Sequence, residues 1–159
     1  MNILSDVIRR SLNWQVIDDM VITKIVELTI SEIKKIKNIA NNIELSIILV
    51  EDEESRFLNN KFRKKDYPTN VLSFPTKIID FEYELTFIDS SYYIYIGEVI
   101  LSYNIIKEES KRYEKKMINH CSHLLIHGIL HLMGYDHQTT QNMKEMESLE
   151  MKILNLINI

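Results

Sequence analysis

Apolar and polar positions along this chain follow two different periods. Over residues 18–39 the apolar side chains recur every three to five positions, which predicts a helix with one buried face: Val21, Ile25, Leu28, Ile33 and Ile36. In residues 44–50 both alternating sets are apolar, which predicts a strand buried on both faces and central in its sheet. Residues 2–8 form a short segment for which an edge strand is the expected structure.

Breaker residues divide the next part of the chain into short elements. Asp52 is predicted to be the N-cap of a short helix that reaches Phe62. Pro68 and Pro75 bracket a predicted short strand over residues 71–74, because proline cannot donate a ladder hydrogen bond.

The following stretch changes from strand-like to helical patterning. Residues 78–88 and 92–101 are rich in Ile, Tyr, Phe and Val, and their spacing predicts a β-hairpin. Residues 102–133 are helical in pattern, with a break expected near Tyr113.

A last helix is predicted near the C-terminus. Thr139 or Thr140 is expected to cap it, and five apolar residues are expected on its inner side: Met143, Met146, Leu149, Ile153 and Leu156. These elements together predict an α+β fold, a small mixed sheet covered by helices, formed as a single domain by residues 1–159.

Length and composition narrow the class of protein. A chain of 159 residues with 45% apolar content can bury a core as one domain. No apolar run approaches the ~20 residues of a membrane span or has signal-peptide form, so no membrane partner is expected. The single cysteine excludes an internal disulfide and favours a cytoplasmic location. The net charge of −4 argues against indiscriminate nucleic-acid binding but permits a local basic patch.

All five histidines lie between His120 and His137. His127 and His131 are four apart, a rotation of about 40° and a rise of about 6 Å on a helix, so their rings share one face. Gly134 suits the left-handed position that ends a helix, and His137 follows where the chain can turn back. This is the metzincin ligand spacing, and it predicts a zincin-like helix that binds one Zn²⁺ and leaves a position for water.

One residue departs from the zinc-peptidase pattern. Gly128 stands where those enzymes carry the glutamate base, which favours hydrolysis of a different substrate and leaves a zinc peptidase as an alternative. His123 lies one turn before His127, and a hydrogen-bonding role is favoured over a fourth ligand. His120 is expected to be structural or on the surface, and Cys121 to be a small buried residue.

The string His-Gly-x-Leu-His-Leu-x-Gly-Tyr-Asp-His, which begins at His127, resembles the signature of the YbeY family of bacterial zinc-dependent endoribonucleases. Other segments within residues 45–150 resemble the same family: Leu-Asn at 58–59, Phe-Arg at 62–63, Lys-Asp at 65–66, Thr-Asn-Val-Leu-Ser-Phe-Pro at 69–75 and Gly-Glu-Val-Ile-Leu-Ser at 97–102. The resemblance implies cleavage of single-stranded RNA in ribosomal RNA processing, including maturation of the 3′ end of small-subunit 16S rRNA, and a role in ribosome quality control. Ribosomal RNA or the small ribosomal subunit is the implied partner.

A run of basic residues precedes the matched segment at residues 69–75. Between Arg56 and Lys65 five residues are cationic and none is acidic, which is typical either of a solvated face or of a phosphate-binding surface. Arg63 is the preferred phosphate ligand, because a guanidinium can clasp a phosphate with two hydrogen bonds and because it matches the family's arginine. Lys65, Asn70 and Ser73 are further candidates for substrate contacts.

The general base is open at this stage. Glu98, where the family usually has aspartate, and Asp136 are the two candidates. Asp136 could equally orient His137, hold a water at the metal, or be an ordinary turn residue. A third functional class also stays open, a non-catalytic ribosome-associated factor whose zinc only stabilises the fold.

Overall fold

The computed structural model describes residues 1–76 and 92–157. Its strands are β1 (Asn2–Arg9), β2 (Asn42–Val50), β3 (Val71–Pro75) and β4 (Ile94–Ser102). Its helices are α1 (Asp19–Lys34), α2 (Asp52–Arg63), α3 (Tyr103–Arg112), α4 (Met117–Leu132) and α5 (Thr140–Ile157), with a 3₁₀ turn at Leu12–Val16. The predicted α+β class is confirmed, and the first half of the predicted hairpin, residues 78–88, lies outside the described residues.

The four strands form one mixed sheet in the order β1-β2-β4-β3. β1, β2 and β4 are parallel, and β3 pairs with β4 in the antiparallel direction. The inner position of β2 and the edge position of β1 confirm the predictions from their patterns. β3 is the other edge strand, where Pro75 is tolerated because one side of the strand makes no ladder bonds.

The two faces of the sheet carry cores of different size. The larger core joins the sheet to α1, α4 and α5, and it includes Leu45, Val99 and Leu125. The smaller core, on the face that α2 covers, contains Ile48, Val50, Leu72 and Ile100. α4 contacts β3, β4 and three other helices, so the expected central burial of the histidine helix is confirmed.

Several predicted boundaries need correction. α1 ends at Lys34, and Ile36 is exposed. The apolar pattern continues to residue 39 because Ile39 and Ala40 are buried in the connection to β2. Their spacing from the apolar residues of α1 resembles that of a helix, although these residues are not helical. Thr139 is the residue that caps α5, since its Oγ1 accepts from Asn142 N at 3.1 Å.

The inner side of α5 also differs from the prediction. Met143 and Leu156 are exposed, whereas Glu150 and Ile157 are buried together with the predicted Met146, Leu149 and Ile153. Within the described ranges, no helix is both long enough and apolar enough to cross a membrane.

Asp52 is not the N-cap of α2. It is the first residue of that helix, and Glu51 occupies the cap position. Asp52 Oδ1 instead accepts from Ser102 Oγ at 2.6 Å and from Ile105 N at 3.4 Å. A carboxylate is favoured near free N–H groups at a helix N-terminus, and here the helix is α3, which sequence spacing could not indicate.

Candidate active site

Three histidines converge at the C-terminal end of α4. His127 and His131 lie on the helix, and Gly134, at φ 81°, turns the chain so that His137 returns to them. One nitrogen from each ring lies within 4.8 Å of the others, and His127 Nε2 is 3.0 Å from His131 Nε2. Two nitrogens bound to one tetrahedral zinc at about 2.0–2.1 Å would be roughly 3.3 Å apart. The arrangement therefore fits a single ion.

Hydrogen bonds orient two of these rings. His127 Nδ1 donates to Glu150 Oε1 at 2.7 Å, and His131 Nδ1 donates to the Tyr135 carbonyl at 3.0 Å. Since both acceptors can only accept, each ring keeps its proton on Nδ1 and presents the Nε2 lone pair to the cluster. Burial and the neighbouring His127 lower the pKa of His131, which favours the neutral ring that metal binding requires.

Glu150 is a site residue that sequence analysis missed. This buried α5 residue also accepts from His123 Nε2, at 2.8 Å from Oε2. Burial alone would raise the pKa of Glu150, but the hydrogen bonds and charges of His123 and His127 outweigh it and lower the pKa to about 2. The sequence does indicate that this carboxylate is buried, because residue 150 lies on the same side of α5 as the buried apolar residues Met146, Leu149, Ile153 and Ile157.

The other two histidines of α4 are engaged elsewhere. His123 is bonded to Glu150 and is not part of the three-histidine cluster found in the described residues. His120 is buried, and its Nε2 donates to Glu109 Oε2 at 2.7 Å, so its role is structural and not that of a surface residue. Cys121 is buried as expected, and desolvation raises the pKa of its thiol to about 12.

A cavity of about 670 Å³ opens beside the three histidines. Phe62, Arg63 and residues 69–75 form its other walls, so the cavity runs along the edge strand β3. Arg63 is the last residue of α2, which stops there because Lys64 adopts a left-handed conformation at φ 59°. Arg63 is exposed and has no ion-pair partner within residues 1–76 and 92–157.

Two buried side chains of α2 hold the loop that leads to β3. Ser55 Oγ donates to the Thr69 carbonyl at 2.7 Å and accepts from Thr69 N at 3.0 Å. Asn59 Nδ2 donates to the Tyr67 carbonyl at 2.8 Å. These bonds fix the β3 wall of the cavity relative to the helix that carries Arg63.

The remaining predicted substrate contacts are divided. Asn70 and Ser73 line the cavity, whereas Lys65 does not. The amide of Asn70 is already engaged, because Nδ2 donates to the Glu109 carboxylate at 3.0 and 3.2 Å and Oδ1 accepts from Val71 N. Arg56, in the same basic run, forms a two-point ion pair with Asp66 at 2.8 Å.

Gly128 allows α4 to lie directly on the sheet. A Cβ at this position would be 2.6 Å from Val99 Cγ1 and 3.1 Å from Ser73 Oγ. The first distance is far inside van der Waals contact, so a glutamate side chain does not fit without displacing Val99 or the helix. Packing against Val99 and Ser73 therefore leaves no room for a peptidase-type base at this position.

The two candidates for the general base occupy different parts of the structure. Asp136 Oδ1 accepts from Asn142 Nδ2 at 2.8 Å and from Gln138 N at 3.0 Å, and these bonds lower its pKa. Asp136 lies in the turn between α4 and α5, and the charges of His137 and His131 contribute to the lowering of its pKa. Glu98 lies on the sheet face opposite to the one on which Val99 contacts α4, because adjacent strand residues point to opposite faces, and Glu98 does not line the cavity.

A histidine-bearing helix packed on a mixed sheet, with three imidazoles at the mouth of a cavity, is an arrangement typical of metal-binding hydrolases. A family model described as Endoribonuclease YbeY matches residues 9–158. The chain therefore belongs to the YbeY family, which is a family of nucleases.

Similar proteins agree with this placement. Endoribonuclease YbeY of Acinetobacter baumannii is 39% identical over 137 residues, which are 86% of this chain and 81% of that protein. Endoribonuclease YbeY of Buchnera aphidicola is 42% identical over 128 residues, 79% and 76% of the two chains. A solution structure of a Thermotoga maritima protein has a TM-score of 0.61 and 26% identity, and covers 97% of this chain and 89% of that one.

Proposed function

We propose that this chain is a zinc-dependent endoribonuclease that hydrolyses phosphodiester bonds in single-stranded RNA, acting as one domain over residues 1–159. The observation that carries the proposal is the cavity shared by His127, His131, His137 and Arg63. The three histidines would hold the ion through their ring nitrogens, and Glu150 would fix the orientation of His127. Zinc, when bound, supplies Lewis acidity toward a phosphoryl oxygen and activates water near neutral pH.

Arg63 is the residue that favours a phosphodiester over a peptide. A phosphodiester is already anionic and gains further charge in its transition state, so a second cation beside the histidines stabilises it. The Arg63 guanidinium is free of carboxylate partners within the described residues and can bind two phosphate oxygens at once.

Family membership supports the biological setting. We propose that the substrate is ribosomal RNA or the small ribosomal subunit, that the reaction contributes to maturation of the 3′ end of 16S rRNA and to ribosome quality control, and that it takes place in the cytoplasm.

Two alternatives are less well supported. A zinc peptidase is favoured by the edge strand β3 along the cavity, since such a strand can pair with an extended peptide. Gly128 opposes it, because the position of the peptidase base has no room for a glutamate. A purely structural zinc usually has four protein ligands, whereas the cluster found in residues 1–76 and 92–157 has three.

The test is single-turnover cleavage of a labelled single-stranded RNA, with zinc assayed on the same samples. We expect Arg63→Ala to keep its zinc and its fold and to cleave RNA roughly 10²–10³-fold more slowly, the loss typical of one preorganised donor. Arg63→Lys should recover only part of the rate, because an ammonium lacks the two-point fork. Lys24→Ala removes the same charge from an exposed site on α1 and should cleave like the wild type.

Two outcomes would contradict the proposal at different levels. Unchanged cleavage by Arg63→Ala would remove Arg63 from the site. Absence of zinc-dependent RNA cleavage by the wild type, with cleavage of a peptide under the same conditions, would replace the nuclease by the peptidase.

A further inference from the structure

We propose that Phe62 stacks on a nucleobase of the bound RNA and thereby makes the site selective for unpaired nucleotides. This inference rests on the proposed nuclease function and adds a specificity residue to the same cavity. Phe62 precedes Arg63 at the end of α2, and both line the cavity that the three histidines share.

The placement of Phe62 matters more than its exposure. Phe62 is 55% exposed, and single exposed aromatic residues are common on protein surfaces. Phe62, however, faces a concave space of about 670 Å³ that also contains the proposed phosphate ligand. A space of that size is comparable to a small-molecule site of roughly 300–1,000 Å³, so it can accept a base and sugar as well as a phosphate.

The Phe62 ring is also held in place. Its centroid lies 4.9 Å from that of Phe74, with the planes tilted by 59°. Phe74 in turn packs against the smaller core. A ring that packs against Phe74 and stays 55% exposed is a preorganised platform, because little side-chain entropy is lost when a ligand covers its exposed part.

The chemistry of single-stranded RNA matches such a platform. Every base has an apolar face, so stacking on an aromatic ring tolerates any sequence, and the phosphate is held by a neighbouring cation. Bases in a duplex are already stacked and paired, and their faces are not free to meet a protein ring. Phe62 beside Arg63 therefore offers two contacts that only an unpaired nucleotide can make together.

Phe57 provides a matched control on the same helix. It is 61% exposed, and Lys61 Nζ lies 5.8 Å from its ring centroid and 5.2 Å from that of Phe62. Phe57 does not line the cavity. Two phenylalanines of the same helix thus share exposure and a nearby cation, and they differ in whether they face the proposed substrate.

The experiment measures single-turnover RNA cleavage by the zinc-loaded protein over a range of protein concentrations. The variants are Phe62→Leu, Phe62→Trp and Phe57→Leu. The substrates are a short single-stranded RNA and a set of the same RNA in which each position in turn is abasic. We expect Phe62→Leu to raise the half-saturating concentration roughly 5- to 150-fold, the range for loss of one stacked base. Phe57→Leu should stay close to the wild type, and Phe62→Trp, which keeps an aromatic face, should lose less than Phe62→Leu.

The abasic series separates stacking from a general loss of shape. At one position, removal of the base should weaken wild-type binding by a similar factor and should have little further effect on Phe62→Leu. Equal losses in Phe57→Leu and Phe62→Leu would overturn the inference while the nuclease function stands. The same holds if removal of the base and Phe62→Leu have additive effects at every position of the RNA. Absence of cleavage by the wild type would instead overturn the proposed function itself.

Discussion

The two halves of α4 use histidine in opposite ways. In the N-terminal half, His120 and His123 direct Nε2 at carboxylates, Glu109 at 2.7 Å and Glu150 at 2.8 Å. In the C-terminal half, His127 and His131 use Nδ1 for their bonds to the protein and leave Nε2 facing the cluster. In the N-terminal half the protein therefore occupies Nε2 of each histidine. In the C-terminal half it occupies Nδ1 and leaves Nε2 available to a metal ion.

The difference shows what selects a ligand among similar residues. Glu150 is bonded to both halves, with Oε2 on His123 and Oε1 on His127. A carboxylate on Nε2 competes with a metal ion, whereas one on Nδ1 orients the ring and raises the basicity of Nε2. A histidine on this helix face is thus a metal ligand only if the protein also leaves its Nε2 free of a hydrogen bond.

Substitution of the histidines themselves should give the largest contrast between the halves. We expect about one zinc per wild-type chain, almost none in His127→Ala or His131→Ala, and a weakened site in His137→Ala, because each loses a ring that faces the ion. His123→Ala should retain its zinc. Metal analysis of purified, folded proteins tests this. If His123→Ala lost zinc as fully as His127→Ala, the division of the helix would be wrong.

Glu150→Gln sharpens the comparison at the residue that joins the halves. An amide has no negative charge and only one acceptor oxygen where the carboxylate has two, so it is a weaker acceptor for the Nδ1–H of His127. We expect zinc affinity to fall roughly 10–100-fold, the usual effect of losing a partner of a metal-bound histidine. Competition with a chelator measures it.

Glu147→Gln is the control for that experiment. Glu147 lines a smaller cavity beside Glu150, and no histidine bond to it is found in the described residues. The change removes the same charge from the same helix and should leave zinc affinity near the wild-type value. Equal losses in both variants would indicate a general effect of charge.

Glu109→Ala should have the smallest effect, and that effect should be on stability alone. It leaves His120 Nε2 and Asn70 Nδ2 without their acceptor, which costs on the order of 1–2 kcal/mol of the free energy of unfolding. Zinc content should not change. Urea unfolding with metal analysis tests both, and Glu108→Ala, an exposed neighbour on α3, is the control. Loss of zinc from Glu109→Ala would show that the N-terminal half of α4 also contributes to metal binding, contrary to the division proposed here.

Sequence reasoning succeeded where chemistry depends on local spacing. The four-residue interval places His127 and His131 on one helix face, and the turn at Gly134 brings His137 to them, as the structure shows. The alternation in β2 likewise predicted a central strand.

It failed where a side chain acts on a distant element. Sequence position predicts Asp52 as the cap of its own helix, whereas its carboxylate accepts hydrogen bonds from Ser102 and Ile105 at the start of α3. Glu150 was overlooked because α5 contains several acidic residues, and only tertiary contact shows that this one meets His127. Glu98 was considered as a base from its segment, and the strand's alternation directs it to the other face.

The contact between Gly128 and Val99 also limits how this protein can change over generations. A glutamate at position 128 requires a smaller residue at position 99, since the two would occupy the same space. Val99→Ala alone empties part of a fully buried site, and Gly128→Glu alone overfills it, so each single step lowers stability while only the pair compensates. Either single change therefore costs stability on its own. Close packing beneath the histidines thus couples the residue at position 128 to the sheet, although the histidine spacing is that of the zinc peptidases.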